Sequence, residues 1–431
     1  MESRFASLDE WLRWQEQLHP AEIELGLERV AAVLAAMGRR LEGIPVVSVA
    51  GTNGKGSCVA MLESVYGAAG YRPGAYTSPH LLRYNERVRI AGKPVSDADL
   101  CRAFAAVDTA RGALSLTYFE FGTLAAIYLF DEAGVDVALL EVGLGGRLDA
   151  VNIIDSDVAL LTSVDLDHMD WLGPDRESIG REKAGIFRSG HPAVCADTAP
   201  PTSVLSEAGV LGADLLLAGR DYCWQHAGSG WRWQTGAGDA LSLPYPALAG
   251  EVQIGNAAAV VQAVQCLQKR LPVSVDALGQ GLQQVRCPGR CQRIPGPVEW
   301  LYDVAHNPAG ALSLADFLAT QSCRGKRRTV LGMLADKPAA EVIAILAEHT
   351  DEWYLVSLTG SRARSAGQLA LELQAVAPDA RYQLFDDMGD LMRRVESECT
   401  PGDRVLVTGS FLVVAGAQAH GADAGDGVAS G

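Results

Sequence analysis

Apolar and polar positions change period several times along the chain, and each change marks an element. The opening "MESRFASLDEWLRWQEQLHP" mixes charges with Trp11, Leu12 and Trp14, which predicts an amphipathic helix and not a signal peptide. From residue 46 to about 195, strand-like apolar runs alternate with helical patterns. "PVVSVA" leads into the helix "GSCVAMLESVYGAAG", then "RPGAYTSP"; later come the helix "FGTLAAIYLFDEAG" and two strands, "VDVALLEV" and "SDVALLTSV". Continuous apolar strands separated by helices predict a largely parallel sheet covered on both faces. Residues 211–243 change character: "ADLLLAGRDYCWQHAGSGWRWQT" alternates like a hairpin with Trp231 and Trp233 on one face, and the helix "NAAAVVQAVQCLQKR" (256–270) follows.

The proline- and glycine-marked "RCPGRCQRIPGP" (286–297) predicts a domain boundary, dividing the chain into residues 1–288 and 289–431. Beyond it the β/α rhythm restarts with "VEWLYDVA", "RRTVLGML", "DEWYLVSL", "ARYQLF" and "DRVLVTGSF", separated by helical stretches such as "AAEVIAILAEHT" and "GDLMRRVESEC". The fold class expected is therefore α/β, a mostly parallel sheet followed by a second α/β domain. No G-x-G-x-x-G marks a dinucleotide site in the second half. The low-complexity tail from about residue 416, "AGAQAHGADAGDGVASG", reads as frayed.

Composition narrows the class. At 431 residues the chain exceeds one typical domain. No apolar run reaches the ~18–20 residues that span a bilayer, so no membrane role is expected. Nine cysteines lie scattered without C-x-x-C pairs, which reads as reduced thiols of a cytoplasmic protein. A net charge of −16 argues against a nucleic-acid surface. Anionic small molecules stay compatible, because local arginines decide within the ~8 Å screening length.

The chemistry concentrates at strand ends. "VVSVAGTNGKGSCVAML" (46–62) runs from a buried strand through a glycine turn into a helix, as a phosphate loop does, yet it departs from G-x-x-x-x-G-K-[ST]. Gly56 stands between Lys55 and Ser57, and Val49 occupies the place of the first glycine. Backbone N–H groups of Gly51, Thr52, Asn53, Gly54, Lys55, Gly56 and Ser57 would cradle an anion, with Lys55 on the outer phosphates and the Ser57 hydroxyl on Mg²⁺. "VDVALLEVGLGG" puts Glu141 at a strand's carboxyl end, where a metal-bridging acid belongs. "TSVDLDHMDWLG" clusters Asp165, Asp167, His168 and Asp170; by itself it reads equally as a solvated acidic turn. "YTSPHLLRYNERVRI" carries His80, Arg83, Arg87 and Arg89, arginine forks suited to carboxylates and phosphates, or else a basic surface strand. Lys183, in "REKAGIFR", reads on its own as a solvated helix lysine. "WLYDVAHNP" ends a strand with Asp303, His306 and Asn307 before a proline-opened helix.

With these residues in view, "GTNGKGS" is similar to the variant phosphate loop of the Mur-type, ADP-forming amide ligases, and "YDVAHNP" resembles their second-domain signature. "TSPHLLRYNERVRI", "TYFEFGTLAAIYLF", "EVGLGGRLDAVN", "IELGLERV" and "REKAGIF" further resemble the bacterial dihydrofolate synthase/folylpolyglutamate synthase family, from about residue 8 to about 415. The resemblance implies a three-layer P-loop ATPase domain with a mostly parallel sheet plus a smaller C-terminal Rossmann-like domain. It further implies ATP-dependent ligation of L-glutamate to dihydropteroate and to reduced folates, through an acyl phosphate. It implies Lys55 and the loop amides on the phosphates, with Ser57, Ser78, Glu141 and His168 at the site of one or two Mg²⁺ ions. Lys183 matches a lysine that the family carbamylates. Asn256 in "IGNAAAVVQAV", Arg290 in "CPGRCQ" and Asp303 fall on nucleotide-contact positions; His80, Arg83 and His306 fall on the substrate side. Some members carry a histidine shortly before the helix asparagine, and "GEVQIGN" has none. An apolar pocket is needed for the pteridine, for which "TYFEFGT" offers Phe119 and Phe121.

Three other activities fit parts of the pattern. A Mur ligase on UDP-linked muropeptides lacks an evident UDP-binding domain before residue 46. A GTP switch would need N-K-x-D, which is absent. A monofunctional folylpolyglutamate synthase would share every motif. Nothing in the pattern demands more than a monomer.

Overall fold

The computed structural model describes residues 4–39, 41–360 and 362–426. The chain divides into two compact units. The first gathers the chain up to His80, Tyr84–Ala247 and Ile254–Arg286; the second gathers Leu81–Arg83, Leu248–Gln253 and the chain from Cys287 on.

The first unit is built on strands β1 (Val46–Ala50), β2 (Pro73–Tyr76), β3 (Val88–Ile90), β4 (Lys93–Pro94), β5 (Val137–Glu141), β6 (Val158–Leu161), β7 (Pro192–Cys195) and β8 (Asp214–Leu217). They form one sheet in the order β4-β3-β2-β5-β1-β6-β7-β8. From β2 to β8 neighbours run parallel, and β3 and β4 close one edge antiparallel. Every position of β1 and β5 is buried, as expected for strands covered on both faces. Helices Lys55–Ala68 and Tyr118–Ala133 belong to the covering layers. The second opens on a capping box, Thr117 accepting from the Glu120 N–H while Glu120 accepts from the Thr117 N–H. The amphipathic pattern at the start becomes helix Leu8–Leu18, whose Trp11 is wholly buried against Phe104 and Phe121. β1 lies between β5 and β6; the chain leaves β1 toward β2 on one side, whereas β5 connects across β1 to β6 on the other, so the direction of connection reverses here. Ligands of open α/β sheets bind outside the carboxyl ends at such a reversal.

Strands β9 (Tyr222–Ala227), β10 (Gly230–Thr235) and β11 (Ala240–Pro244) make a small antiparallel sheet that buries Trp231 and Trp233. One expectation is corrected here. Residues 214–217, grouped by their pattern with the hairpin, pair instead with β7 as the edge of the main sheet. Leu215, Leu216 and Leu217 form a continuous apolar run, which suits a parallel strand better than an alternating one.

The second unit carries β12 (Gln292–Ile294), β13 (Glu299–Tyr302), β14 (Arg327–Leu331), β15 (Glu352–Val356), β16 (Arg381–Phe385) and β17 (Arg404–Thr408), in the order β12-β13-β17-β14-β15-β16. All pair parallel except β12 with β13. A second correction concerns the tail. In place of fraying from about residue 416, a helix runs Phe411–Asp426. Val413, Val414 and Ala417, on one face of the helix, pack with Tyr302, Val405 and Val407, and that burial outweighs the glycine content of the stretch. Residues 427–431 of the expected tail lie outside the described residues. Among the described residues no helix is long and apolar enough to cross a membrane.

Candidate active site

The phosphate-type loop leaves β1 and enters helix Lys55–Ala68, whose amino end points N–H groups and a partial positive charge at the carboxyl edge. Its shape is held by the neighbouring strand end. The Thr52 N–H donates to the Ser163 carbonyl (2.8 Å), the Asn53 N–H to Ser163 Oγ (3.1 Å) and Thr162 Oγ1 to the Asn53 carbonyl (2.5 Å). The N–H groups of Thr52 and Asn53, expected on phosphate, are therefore engaged in shaping the loop. A Cβ on Gly51 would overlap Thr162 Oγ1, at a φ of +150°. Gly54 is left-handed (φ +88°) and faces the Asn256 amide, so Asn256 does lie against the loop.

Two lysines converge on one carbonyl. Lys55 Nζ donates to Gly51 O (3.0 Å) and Thr52 O (3.3 Å), and Lys183 Nζ donates to the same Gly51 O (2.9 Å). Lys183 is 5% exposed, so its reading as a solvated helix lysine is overturned. Helix Arg176–Ala184 is brought in through Gly146, where any Cβ would lie 2.8 Å from the carbonyls of Glu182 and Lys183. Burial first, and the neighbouring Lys55 ammonium second, bring the Lys183 amine down from its ordinary 10.5 to about 7.

Glu141, 4% exposed at the end of β5, accepts from the Ser78 N–H (3.1 Å) and lies opposite Gly56. Ser57 Oγ is buried without a hydrogen-bond partner. An orphaned hydroxyl next in sequence to Gly56, and a buried carboxylate facing that glycine, fit a hard divalent cation. Among the described residues no three His, Cys, Asp or Glu side chains are grouped to hold a metal by themselves. That agrees with Mg²⁺, which takes one or two protein ligands and completes its shell with phosphate and water oxygens.

Beside these strand ends lies a cavity of about 240 Å³, walled by Ile23, Leu25, Ser78, Phe119, Asp149 and His168 among others. Typical sites for drug-sized ligands span about 300–1,000 Å³, so this one suits one end of a substrate. Phe119 lines it, pressed against Gly143, where a Cβ would come within 2.7 Å of the ring. Phe121, expected there too, is corrected to the core. It is wholly buried, with Trp14 at 6.0 Å and Phe104 at 5.6 Å between ring centroids, because residues two apart on a helix face different ways. Asp149 accepts from the N–H groups of Leu144 (2.8 Å) and Val151 (3.0 Å), yet burial outweighs them and raises its carboxyl from 3.8 to about 6. His168 adopts a left-handed conformation (φ 51°) before helix Met169–Leu172, and its N–H donates to Asp167 Oδ1 (2.9 Å).

The arginine of this cavity is Arg87. It donates from Nε to His80 Nδ1 (2.9 Å) and stacks its guanidinium over Tyr84 and Tyr118, at 5.2 and 5.4 Å. Burial and that cation push His80 from 6.5 down to about 4, a neutral acceptor at physiological pH. Arg83, the expected substrate arginine, is exposed and groups with the second unit, outside this cavity. Arg87 stands in the sequence only as one of three arginines of its stretch, whereas Asp149 and Thr117 are not among the candidates it offers. Asp149 had a readable signal, an acid three residues after the glycines of "EVGLGGRLD".

In the second unit, the Asp303 carboxylate accepts from the N–H groups of Cys291 (2.8 Å) and Ala305 (2.8 Å), while the Val304 N–H donates to Gly289 O (3.0 Å). Asp303 thereby fixes the turn presenting Arg290, whose guanidinium sits 5.6 Å from the Phe411 ring. His306 Nδ1–H donates to Val304 O (2.8 Å), making Nε2 the unprotonated nitrogen of the neutral ring.

Comparison with known proteins agrees with this geometry. Residues 49–199 match the Mur ligase middle domain and residues 289–411 the Mur ligase, glutamate ligase domain. The dihydrofolate synthase/folylpolyglutamate synthase of Escherichia coli is 42% identical, over 95% of this chain and 94% of its own. That of Haemophilus influenzae is 39% identical, over 95% and 96%. The structure of E. coli FolC in complex with DHPP and ADP superposes with a TM-score of 0.91 at 41% identity, covering all of both chains. A bifunctional folylpolyglutamate synthase/dihydrofolate synthase with Mn, AMPPNP and L-glutamate bound gives 0.89 at 46% identity, covering 97% and 98%. With its lysine-bearing loop, its buried acid and its two α/β units, the chain belongs to the dihydrofolate synthase/folylpolyglutamate synthase family of Mur-type ligases.

Proposed function

We propose that this protein joins L-glutamate to dihydropteroate, and to reduced folates, with cleavage of ATP to ADP and phosphate. The observation that carries the reading is the adjacency, within one unit, of a phosphate-type loop, an orphaned Ser57 hydroxyl beside a buried acid, and a small cavity lined by Phe119 and Asp149. A pteridine is flat and carries N–H donors along one edge; Phe119 meets its face and the Asp149 carboxylate accepts from that edge.

A carboxylate is a poor acyl donor until one oxygen is phosphorylated. The substrate carboxylate attacks the γ-phosphorus, ADP leaves, and the amine of glutamate then displaces phosphate from the acyl phosphate. Lys55 swings from the Gly51 carbonyl to the β/γ-phosphates, and the helix amino end holds the same oxygens. Bound Mg²⁺ supplies Lewis-acid withdrawal of charge from the phosphoryl oxygens; Ser57 and Glu141 hold it, with Ser78 and His168 at the same site. Arg87, which lines the cavity, steadies the substrate carboxylate. Arg290 matches a nucleotide-contact position of the family, and His306, with Nε2 as its accepting nitrogen, is the candidate base for the proton lost by the attacking amine. His80, with a pKa of about 4, is too weak a base for that step.

Lys183 belongs to this reading as a carbamate. Its neutral amine attacks CO₂, a C–N bond forms, one proton leaves, and a buried cation becomes an anion able to orient metal and γ-phosphate. All nine cysteines are free thiols, which suits the cytoplasm, where folates are made. The proposed division of labour, an ATP-binding domain over residues 1–288 and a ligase domain over 289–431, is supported by the break between the two compact units after Arg286.

The test is ADP release with Mg²⁺, ATP and L-glutamate, comparing dihydropteroate, tetrahydrofolate and no acceptor, with products weighed by mass spectrometry. One glutamyl unit gained by each acceptor supports the proposal. ADP release with tetrahydrofolate alone reduces it to a tail-extending enzyme, and no release with either refutes it.

A further inference from the structure

Arg87 and Arg89 share one face if their stretch is extended, yet the structure sends them apart. Arg87 closes the short helix Tyr84–Arg87, whereas Arg89 lies on β3. The Arg89 fork is already taken. Its Nε and Nη2 hold the Glu63 carboxylate at 2.9 and 2.8 Å, and its Nη1 donates to Thr77 Oγ1 (2.9 Å) and to the Glu86 carbonyl (2.8 Å). Glu63 is 9% exposed and lies on helix Lys55–Ala68, the helix that begins with the phosphate loop and carries Ser57. Thr77 directly precedes Ser78, whose N–H holds Glu141.

We infer that Arg89 is a positioning residue for the metal site. It braces the Ser57 helix against the turn that orients Glu141, so the two Mg²⁺ ligands keep one separation. The brace rests on the site reading above, in which Ser57 and Glu141 are those ligands. Only a planar fork can serve all its partners at once: carboxylate on one edge, hydroxyl and carbonyl on the other. A lysine at this place keeps the charge but reaches one side alone. Groups that orient metal ligands from behind typically contribute about 10–100-fold in metal affinity.

The experiment is Mn²⁺ titration of the full-length protein saturated with ADP, read by electron paramagnetic resonance, in R89K, Thr77→Val and Glu141→Gln. Nucleotide affinity in EDTA is measured in parallel, and thermal unfolding confirms that each variant is folded. Thr77→Val keeps the Glu63–Arg89 pair and the shape of the turn, so it tests the brace even if R89K is unstable. Expected are at least about tenfold weaker Mn²⁺ binding in R89K and Thr77→Val and unchanged ADP affinity in EDTA. Wild-type Mn²⁺ affinity in folded Thr77→Val overturns the brace. If Glu141→Gln also binds Mn²⁺ normally, the metal-site reading itself fails, and the brace with it.

Discussion

The proposed carbamylation of Lys183 depends on how far burial lowers the affinity of its amine for a proton. An amine at its ordinary 10.5 is neutral in about one molecule per thousand at pH 7.5, whereas one at about 7 is neutral in about three of four. The nucleophilic population therefore rises by nearly three orders of magnitude. The displacement corresponds to roughly 5 kcal/mol against the ammonium, a penalty that conversion to a carbamate removes by changing the group. The sign is that of a depressed lysine: between about 7 and 10.5 the unfolded chain binds the extra proton, so stability contributed here rises with pH across that window and is lowest below it. Incubation with ¹³C-bicarbonate at pH 7.5 should give a protein-bound carbamate carbonyl resonance that is absent in Lys183→Met. Ligase rate should fall in CO₂-depleted buffer, recover with bicarbonate, and be at least about a hundredfold lower in Lys183→Met. A wild-type protein without the resonance, and with full activity in CO₂-free buffer, refutes the reasoning and leaves Lys183 a neutral hydrogen-bond donor to Gly51.

The remaining expectations separate pocket from core. Phe119→Ala should raise the KM for dihydropteroate by about tenfold or more while the KM for ATP stays put, since it removes a face of the cavity and about 1.5–3 kcal/mol of apolar burial. Phe121→Ala should do the converse, losing about 3–5 kcal/mol of stability in urea unfolding with little change in KM, because its ring is locked between Trp14 and Phe104. Gly143→Ala should act like a partial ligand, driving the Phe119 ring into the cavity and raising the same KM. Asp149 carries a raised pKa, so its ionised form is disfavoured in the fold, and its contribution to stability falls as pH climbs from 3.8 to about 6. The stability of wild type relative to Asp149→Asn, followed by urea unfolding, should decline across that window by at most roughly 3 kcal/mol and be flat above it.

Much of this protein is legible in one dimension. The period of apolar residues predicts the buried parallel strands, because a strand covered on both faces has no polar side to show. The run "VAGTNGKGS" announces an anion site, because a buried strand, a glycine turn and a helix start are contiguous in sequence. Glu141, the proposed metal ligand, is likewise visible as the acid that ends an apolar strand. Each of these features depends on near neighbours along the chain.

What only the tertiary structure decided depends on distant ones. Lys183 reads as a solvated lysine until Gly146 lets its helix close over Gly51, 132 residues away in sequence, and burial then lowers its affinity for a proton. Phe119 and Phe121 are indistinguishable as letters, but the rotation of one helix puts the first in a cavity and the second under Trp14. Arg87 and Arg89 offer the same fork, and only folding gives them different partners, His80 for one and Glu63 for the other, on which their different proposed roles rest. The sequence by itself determined the elements and the phosphate loop, since both are local. Burial, charge neighbours and side-chain direction come from segments far apart in the chain, so which residues share the candidate site was decided by the fold.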